Sequence, residues 1–516
     1  MKKKKCFQKL ASLLLSGILL LGEYGSGFRV HAADPETEEL FAEEEELTEE
    51  EPEGGPFSGE PTQLYVNTSS KGVVNLVTYG NTIKEGDSEL SYDPSSCTLT
   101  MKDFHIANAY KKGSSESYGI FCDGKLNIVV EGFCTIDASA PSDSTIIEGI
   151  HVDQELSIKS AEALLGGSLS IQMSGSSKNS ATGIFAGYGL SLSDSTIGAL
   201  SVTAKGSQAA QDSYGVRAGR GLTMNSGTLR ATGGKVTGNS RNSYGIMSKD
   251  GNFTMKKGTV IATGGSVQSS TSKSYGLYHA GELRVSGGTL TLGTASVTGD
   301  LYTEACALYV TKGMILTGGT VNATASNAGS KATSRAVNCT GKLTIARGEL
   351  NASSGSSGET LSIAVDAGTF VMAAGKLNAT AGSVSGGNTS ESYGLRIADK
   401  NERETKIGGG TITAKAGNAK TSYGIKVNNF LTLTGGTLTA AGYSEAISAA
   451  KAASGGKPSI TAPVFEGSAD YNGSNTAIKA DYVYGWKYAV LDAERVVPVI
   501  ENWTYDDTPS TPGIMN

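Results

Sequence analysis

The stretch SYGIKVNNFLTLTGGTLTAAG, residues 422–442, decides how this chain is read. Apolar and polar side chains alternate along it: Ile425 and Val427, Leu431 and Leu433, Leu438 and Ala440 fall on one side, Thr432, Thr434, Thr437 and Thr439 on the other. A period of two is the signature of strands, and the Asn and Gly residues between the short runs supply turns. The template returns as SYGVRAGRGLTMNSGTLRATGG at 213–234, SYGIMSKDGNFTMKKGTVIATGG at 243–265 and SYGLYHAGELRVSGGTLTLG at 274–293.

Outward from these copies, the small residue after the tyrosine serves as a marker. It falls at Gly119, Gly149, Gly183, Gly215, Gly245, Gly276, Ala307, Ala336, Ala364, Gly394, Gly424, Ala446 and Ala477, about 30 residues apart and always followed by Ile, Val or Leu. One copy has too little apolar surface to offset the entropy of ordering its chain. Stacked copies solve this, because like strands pair about 4.8 Å apart and their inward aliphatics merge into one core. The fold class that follows is all-β: a right-handed single-stranded parallel β-helix of 12–13 coils with three strands per coil. A propeller blade needs four antiparallel strands, and a leucine-rich repeat needs a helix or an Asn ladder, so neither fits the template.

The flanks differ from the repeats. Residues 1–32 read as a signal peptide: Lys2 to Lys5 and Lys9, then an apolar run from Leu10 to Leu21, then Val30-His31-Ala32 before Ala33. That run is too short to span a bilayer, so the mature chain is expected outside the cell with no membrane span. Residues 33–61 form an acidic spacer with Asp34, twelve glutamates and no Lys or Arg, which self-repulsion keeps extended. The body that remains is close to neutral, with 36 acidic and 37 basic residues. A neutral body without a basic block argues against nucleic acid as partner. Five cysteines after the signal, Cys97, Cys122, Cys134, Cys306 and Cys339, lack the spacing of a disulfide framework or a zinc site. Residues 62–117 are strand-like without the Tyr-Gly template and read as an N-terminal cap, 118–485 as the β-helix, and 486–516 as a C-terminal cap running into ENWTYDD. The chain is expected to be a monomer.

The recurrent tyrosines Tyr118, Tyr214, Tyr244, Tyr275, Tyr393 and Tyr423 are the candidate ligand-binding residues. Stacked at one per coil they form broken ladders, which serve either as ring-on-ring packing or as a track for sugar faces. Other copies place Glu148, Thr182, Arg335 or Glu445 there, which predicts a position that is not deeply buried. Rows of outward threonine read as an exposed strand face that could also offer a regular hydrogen-bonding lattice. Catalysis finds little support: a glycoside hydrolase needs converging carboxylates, Asp is scarce on the coils, and His105, His151 and His279 stand on different copies.

The signal, the acidic spacer, SYDPSSCTLTM at 91–101 and the serial YGI…LTLTGGTLTA coils resemble large secreted or cell-wall proteins of Gram-positive, clostridia-like bacteria. The coils are also similar to bacterial carbohydrate-binding β-helix domains, in which an acidic Asp-Gly-Ile turn can hold calcium. That resemblance implies a polysaccharide or glycan as partner, on host, plant material or cell wall. It makes Glu148 and Asp153 the calcium candidates, since only Glu148-Gly149-Ile150-His151-Val152-Asp153 approaches the acidic turn. The pectinase-like β-helices carry Asn-Thr-Asp, Asp-Asp and Gly-His-Gly signatures that the coils here lack. ENWTYDD resembles the opening of an Ig-like module, so the sequence is expected to be a piece of something longer. The expectation is therefore a non-catalytic, adhesin-like scaffold that needs no cofactor, with a purely structural stalk and an atypical polysaccharide lyase or hydrolase as alternatives.

Overall fold

The computed structural model describes residues 59–298, 302–398, 405–428, 430–449, 460–462, 464–474, 476–479 and 485–493. The chain divides into the units Met1–Glu53 and Gly54–Asn516, and the described residues belong to the second. The signal peptide, all of the acidic spacer before Gly59 and the ENWTYDD stretch lie outside the described residues.

The repeats stack as parallel coils of about 30 residues in a β-solenoid of about 11 turns. Each coil contributes three strands, and like strands pair in parallel register to make three long sheets. In one coil these are Ser213–Ala218, Gly221–Met224 and Thr228–Thr232. They lie on Asn242–Ser248, Asn252–Met255 and Thr259–Gly264 of the next coil, with Tyr214 opposite Tyr244, Leu222 opposite Phe253 and Leu229 opposite Val260. The side-chain parity read from the sequence holds: Ile425, Val427, Leu431, Leu433, Leu438 and Ala440 are all buried. Equivalent aliphatics of every coil join one continuous core.

Two features enlarge the template. Thr98–Lys102 and His105–Asn108, read from the sequence with the cap, run parallel to the two halves of Leu126–Ser139 and so supply second and third strands beneath the first tyrosine-bearing coil. Ahead of them Leu64–Thr68 turns back and pairs antiparallel with both Gly72–Asn75 and Glu116–Cys122. A fourth stacked column also closes each coil. Ala209, Val236, Val267, Val297 and Ala328 form single parallel bridges one coil apart, between the third strand and the next first strand.

At the other end the count falls short of 12–13. The last first strand in parallel register is Glu445–Ser448, and the marker Ala477 lies instead in Ala477–Lys479, antiparallel to Val464–Ser468. Tyr488–Asp492 pairs antiparallel with Thr437–Ala441, so a reversed strand covers the edge that another coil would have used. Among the described residues no helix is long and apolar enough to cross a membrane.

Candidate functional site

The first-strand sheet presents its unusual chemistry outward, and the marker residue explains how. Register runs from Tyr214 to Val216 opposite Tyr244 to Ile246, skipping the glycines, so that Gly215 and Val216 both turn inward. A Cβ on Gly215 would sit 2.7 Å from the Gly245 carbonyl oxygen and 2.4 Å from the Thr232 nitrogen. Two consecutive inward residues put Tyr214 and Arg217 on the same outer face, where strict alternation would separate them.

Two outer columns result. The inner one holds the recurrent tyrosines. Tyr214, Tyr244 and Tyr275 stack nearly parallel, with ring centroids 5.0 and 5.2 Å apart. Tyr393 and Tyr423 stack at 6.1 Å, and Tyr118 packs on Phe121 and His151. Contrary to the expectation of exposure, Tyr118, Tyr214, Tyr244, Tyr275 and Tyr393 are each less than a tenth exposed, and only Tyr423 is half-buried. The sequence argument failed at Glu148, which is 4% exposed although charged. Charge at a buried site needs a partner, and His151 provides it. The stacked faces of Tyr214, Tyr244 and Tyr275 are spent on each other and on their neighbours, so these rings form the bed beneath the second column. Burial raises their hydroxyl pKa values, which keeps the phenols neutral donors.

The second column is the more exposed of the two, and the sequence reading passed over it. It runs Phe121, His151, Phe185, Arg217, Met247, Tyr278, Tyr309, Asn338, Asp366, Arg396 and Lys426 in successive coils. Phe185, Arg217, Met247, Tyr278, Tyr309, Arg396 and Lys426 are half-buried. Tyr278 and Tyr309 stack at 5.1 Å and stand edge-on over Tyr275. The Arg217 guanidinium lies 5.3 Å from the ring centres of both Phe185 and Tyr214, and Lys426 lies 5.4 Å from Tyr393.

The tyrosine column breaks at Cys306, Arg335 and Ile363, and charges from neighbouring columns gather around that break. Lys273 reaches Glu304 at 3.0 Å, Arg335 reaches Glu304 at 2.7 Å, and Arg396 grips Asp366 through two nitrogens at 2.5 and 2.9 Å. Burial disfavours the Arg335 cation, yet Glu304 and Asp366 outweigh that and raise its pKa above the ordinary guanidinium value.

The calcium candidates do not fit a calcium ion. Glu148 bonds His151 Nδ1, and Asp153 bonds His151 Nε2 at 2.8 Å, so both carboxylates close on one imidazole. Calcium takes six to eight oxygen ligands, and this arrangement spends its two carboxylates on a cation already present. Burial lowers the His151 pKa, but the hydrogen bonds it donates to Asp153 and Glu148 prevail and lift it to about 9. Among the described residues no group of three or more His, Cys, Asp and Glu could hold a metal ion. The five cysteines from Cys97 to Cys339 are free and buried. Elsewhere, His105 lies 3.3 Å from Asp137, the one carboxylate lining a shallow hollow with Thr135, Ser170, Gln172 and Ser174. No protein-family model matches this chain, and no curated protein or solved structure matches it significantly.

Proposed function

We propose that the protein is an exported, non-catalytic β-solenoid scaffold that binds extended glycans along the outer face of its first-strand sheet. The observation that carries this reading is the half-exposed column Phe185, Arg217, Met247, Tyr278 and Tyr309 on its bed of stacked tyrosines. Ring edges and hydroxyls suit the C–H and O–H groups of a sugar, and a guanidinium fork suits its oxygens. An extended polymer is the fitting ligand, because one weak contact per coil becomes strong only when many engage together. Export rests on the N-terminal basic and apolar segments.

Affinity electrophoresis of the mature chain in gels containing soluble polysaccharides tests this. Retardation by at least one polymer is expected, with the double variant Tyr278→Ala/Tyr309→Ala weakening it about tenfold while the circular dichroism spectrum stays unchanged. Unretarded migration in every polymer, or equal retardation of the variant, would remove the reading. The second reading, a stalk that binds nothing on this face, is favoured by the Tyr214–Tyr244–Tyr275 stack, whose faces serve coil packing.

A further inference from the structure

A different face of the solenoid carries a hydroxyl lattice that the chain itself leaves unused. On the third-strand sheet Thr228, Thr259, Thr289 and Thr320 stand in direct register over four successive coils, and Thr411 and Thr437 resume the column after two intervening coils. Four residues along the same strands, Thr232 and Thr263 repeat in register, and the column continues through Gly293 to Thr324 and through Ser353 to Thr380. The column between begins with Arg230 and Ile261 and then carries Thr291, with Thr413 and Thr439 further on. Coils are about 4.8 Å apart and alternate residues of a strand about 6.7 Å apart, so the side chains form a rectangular net, flat from Thr259 onward and bounded on the earlier coil by the exposed Arg230.

Inward residues fix that flatness. Under the net lie Leu229, Val260, Leu290 and Val321, then Ala231, Ala262, Leu292 and Ala323, all buried. Among the described residues no hydrogen bond within the chain engages these threonine hydroxyls. The corner serines behave oppositely, since Ser213, Ser243, Ser362 and Ser392 all bond backbone groups. The middle column is continued by Asn322, Asn351 and Asn378, whose amides chain together at 2.9 and 2.7 Å and hold the net rigid along the stack.

We infer that this threonine net binds the ordered surface of a crystalline polysaccharide, a contact separate from the one proposed for the first-strand sheet. A flat face encloses no small molecule, whereas a ligand pocket buries most of its ligand. Hydroxyls fixed on a repeat gain most from a partner that is itself rigid and periodic, because neither side then loses freedom on contact. Each threonine offers a methyl beside a hydroxyl, the pairing that C–H and O–H groups make on the face of packed sugar chains. Glu349 and Lys376 interrupt the first column and form an ion pair at 3.3 Å, so the column also tolerates a charge without loss of register.

Depletion of the mature chain from solution by microcrystalline cellulose and by crystalline chitin, compared with the swollen amorphous polymers, tests the inference. The account expects retention on a crystalline polymer that exceeds retention on its amorphous form. The triple variant Thr259→Lys/Thr289→Lys/Thr320→Lys should lower it at least about tenfold, because all engaged coils act together. The corresponding Thr→Ser triple variant should keep most of it. The Tyr278→Ala/Tyr309→Ala variant should bind crystals normally, which separates this contact from that of the first-strand sheet. No retention on either crystal, retention untouched by the lysine variant, or loss caused only by the tyrosine variant would overturn the inference. Shaping of ice crystals without polysaccharide binding would also overturn it, by assigning the net to the wrong solid.

Discussion

At Gly215 an added methyl would meet the backbone of the next coil, yet Ala307, Ala336, Ala364 and Ala446 occupy the same place in other copies. The site therefore accepts one carbon only where the neighbouring backbone stands further off, and none of the thirteen copies places anything larger there. His151 shows how single-residue electrostatics is set by neighbours. Its pKa is raised from 6.5 to about 9, because the folded chain holds it between Glu148 and Asp153. A raised pKa in the folded state means the folded chain binds the proton more tightly, so this contribution is complete below about 6.5 and lost as pH rises towards about 9. Resonances of the His151 ring should titrate near pH 9, and urea unfolding of the first coils should weaken across that window. Titration near the ordinary value would show that the two carboxylates do not hold the imidazolium. His279 behaves in the opposite sense: buried, with Nε2 bonded to the Glu282 carbonyl at 3.0 Å, it has a lowered pKa and weakens the fold on the acid side.

Along the corner that joins third strands to first strands, the serine of each Ser-Tyr-Gly acts as a stitch between coils. Ser392 donates to the Gly382 carbonyl at 3.0 Å and accepts from the Gly417 nitrogen of the following turn at 2.8 Å. The same pairing links Ser213 to Gly234, Ser243 to Gly265 and Ser334 to Gly355. It fails at Ser274, whose hydroxyl is buried without a partner, because Ala295 gives its N–H to the Gly264 carbonyl instead. One copy later the serine is Ala305. The ladder thus contains its own control. Ser392→Ala leaves two half-buried backbone groups without this partner and should cost about 1 kcal/mol, read as a lower urea midpoint, whereas Ser274→Ala should cost little or nothing. Equal effects of the two substitutions would mean that the ladder does not stabilise the stack.

For the molecule as a whole, what the sequence made legible was whatever depends on period and parity. The inward set of residues 422–442 and the pairing of like strands follow from apolar alternation repeated every thirty residues or so. What it hid depends on neighbours from another coil. The burial of Tyr214 comes from Tyr244 above it and Arg217 beside it, and Arg217 reaches that face only through the double inward turn at Gly215-Val216. The valine column at Val236, Val267 and Val297 sits in connections whose Gly and Ser content reads as plain loop. The marker Ala477 kept the spacing but not the register, because a reversed strand had already covered the last third strand.

Every surface described above exists only if like strands of successive copies lie on one another. Thr228 and Thr437 occupy the same column seven coil steps apart, so about 4.8 Å per step places them about 34 Å from each other. Pulsed electron paramagnetic resonance between spin labels at Thr228→Cys and Thr437→Cys, in a chain carrying Cys6→Ser, measures that separation directly, since the five cysteines from Cys97 to Cys339 are buried. The stacked solenoid predicts one narrow distance near that value. A broad distribution, or a distance far from it, would contradict the stack and with it both proposed binding faces.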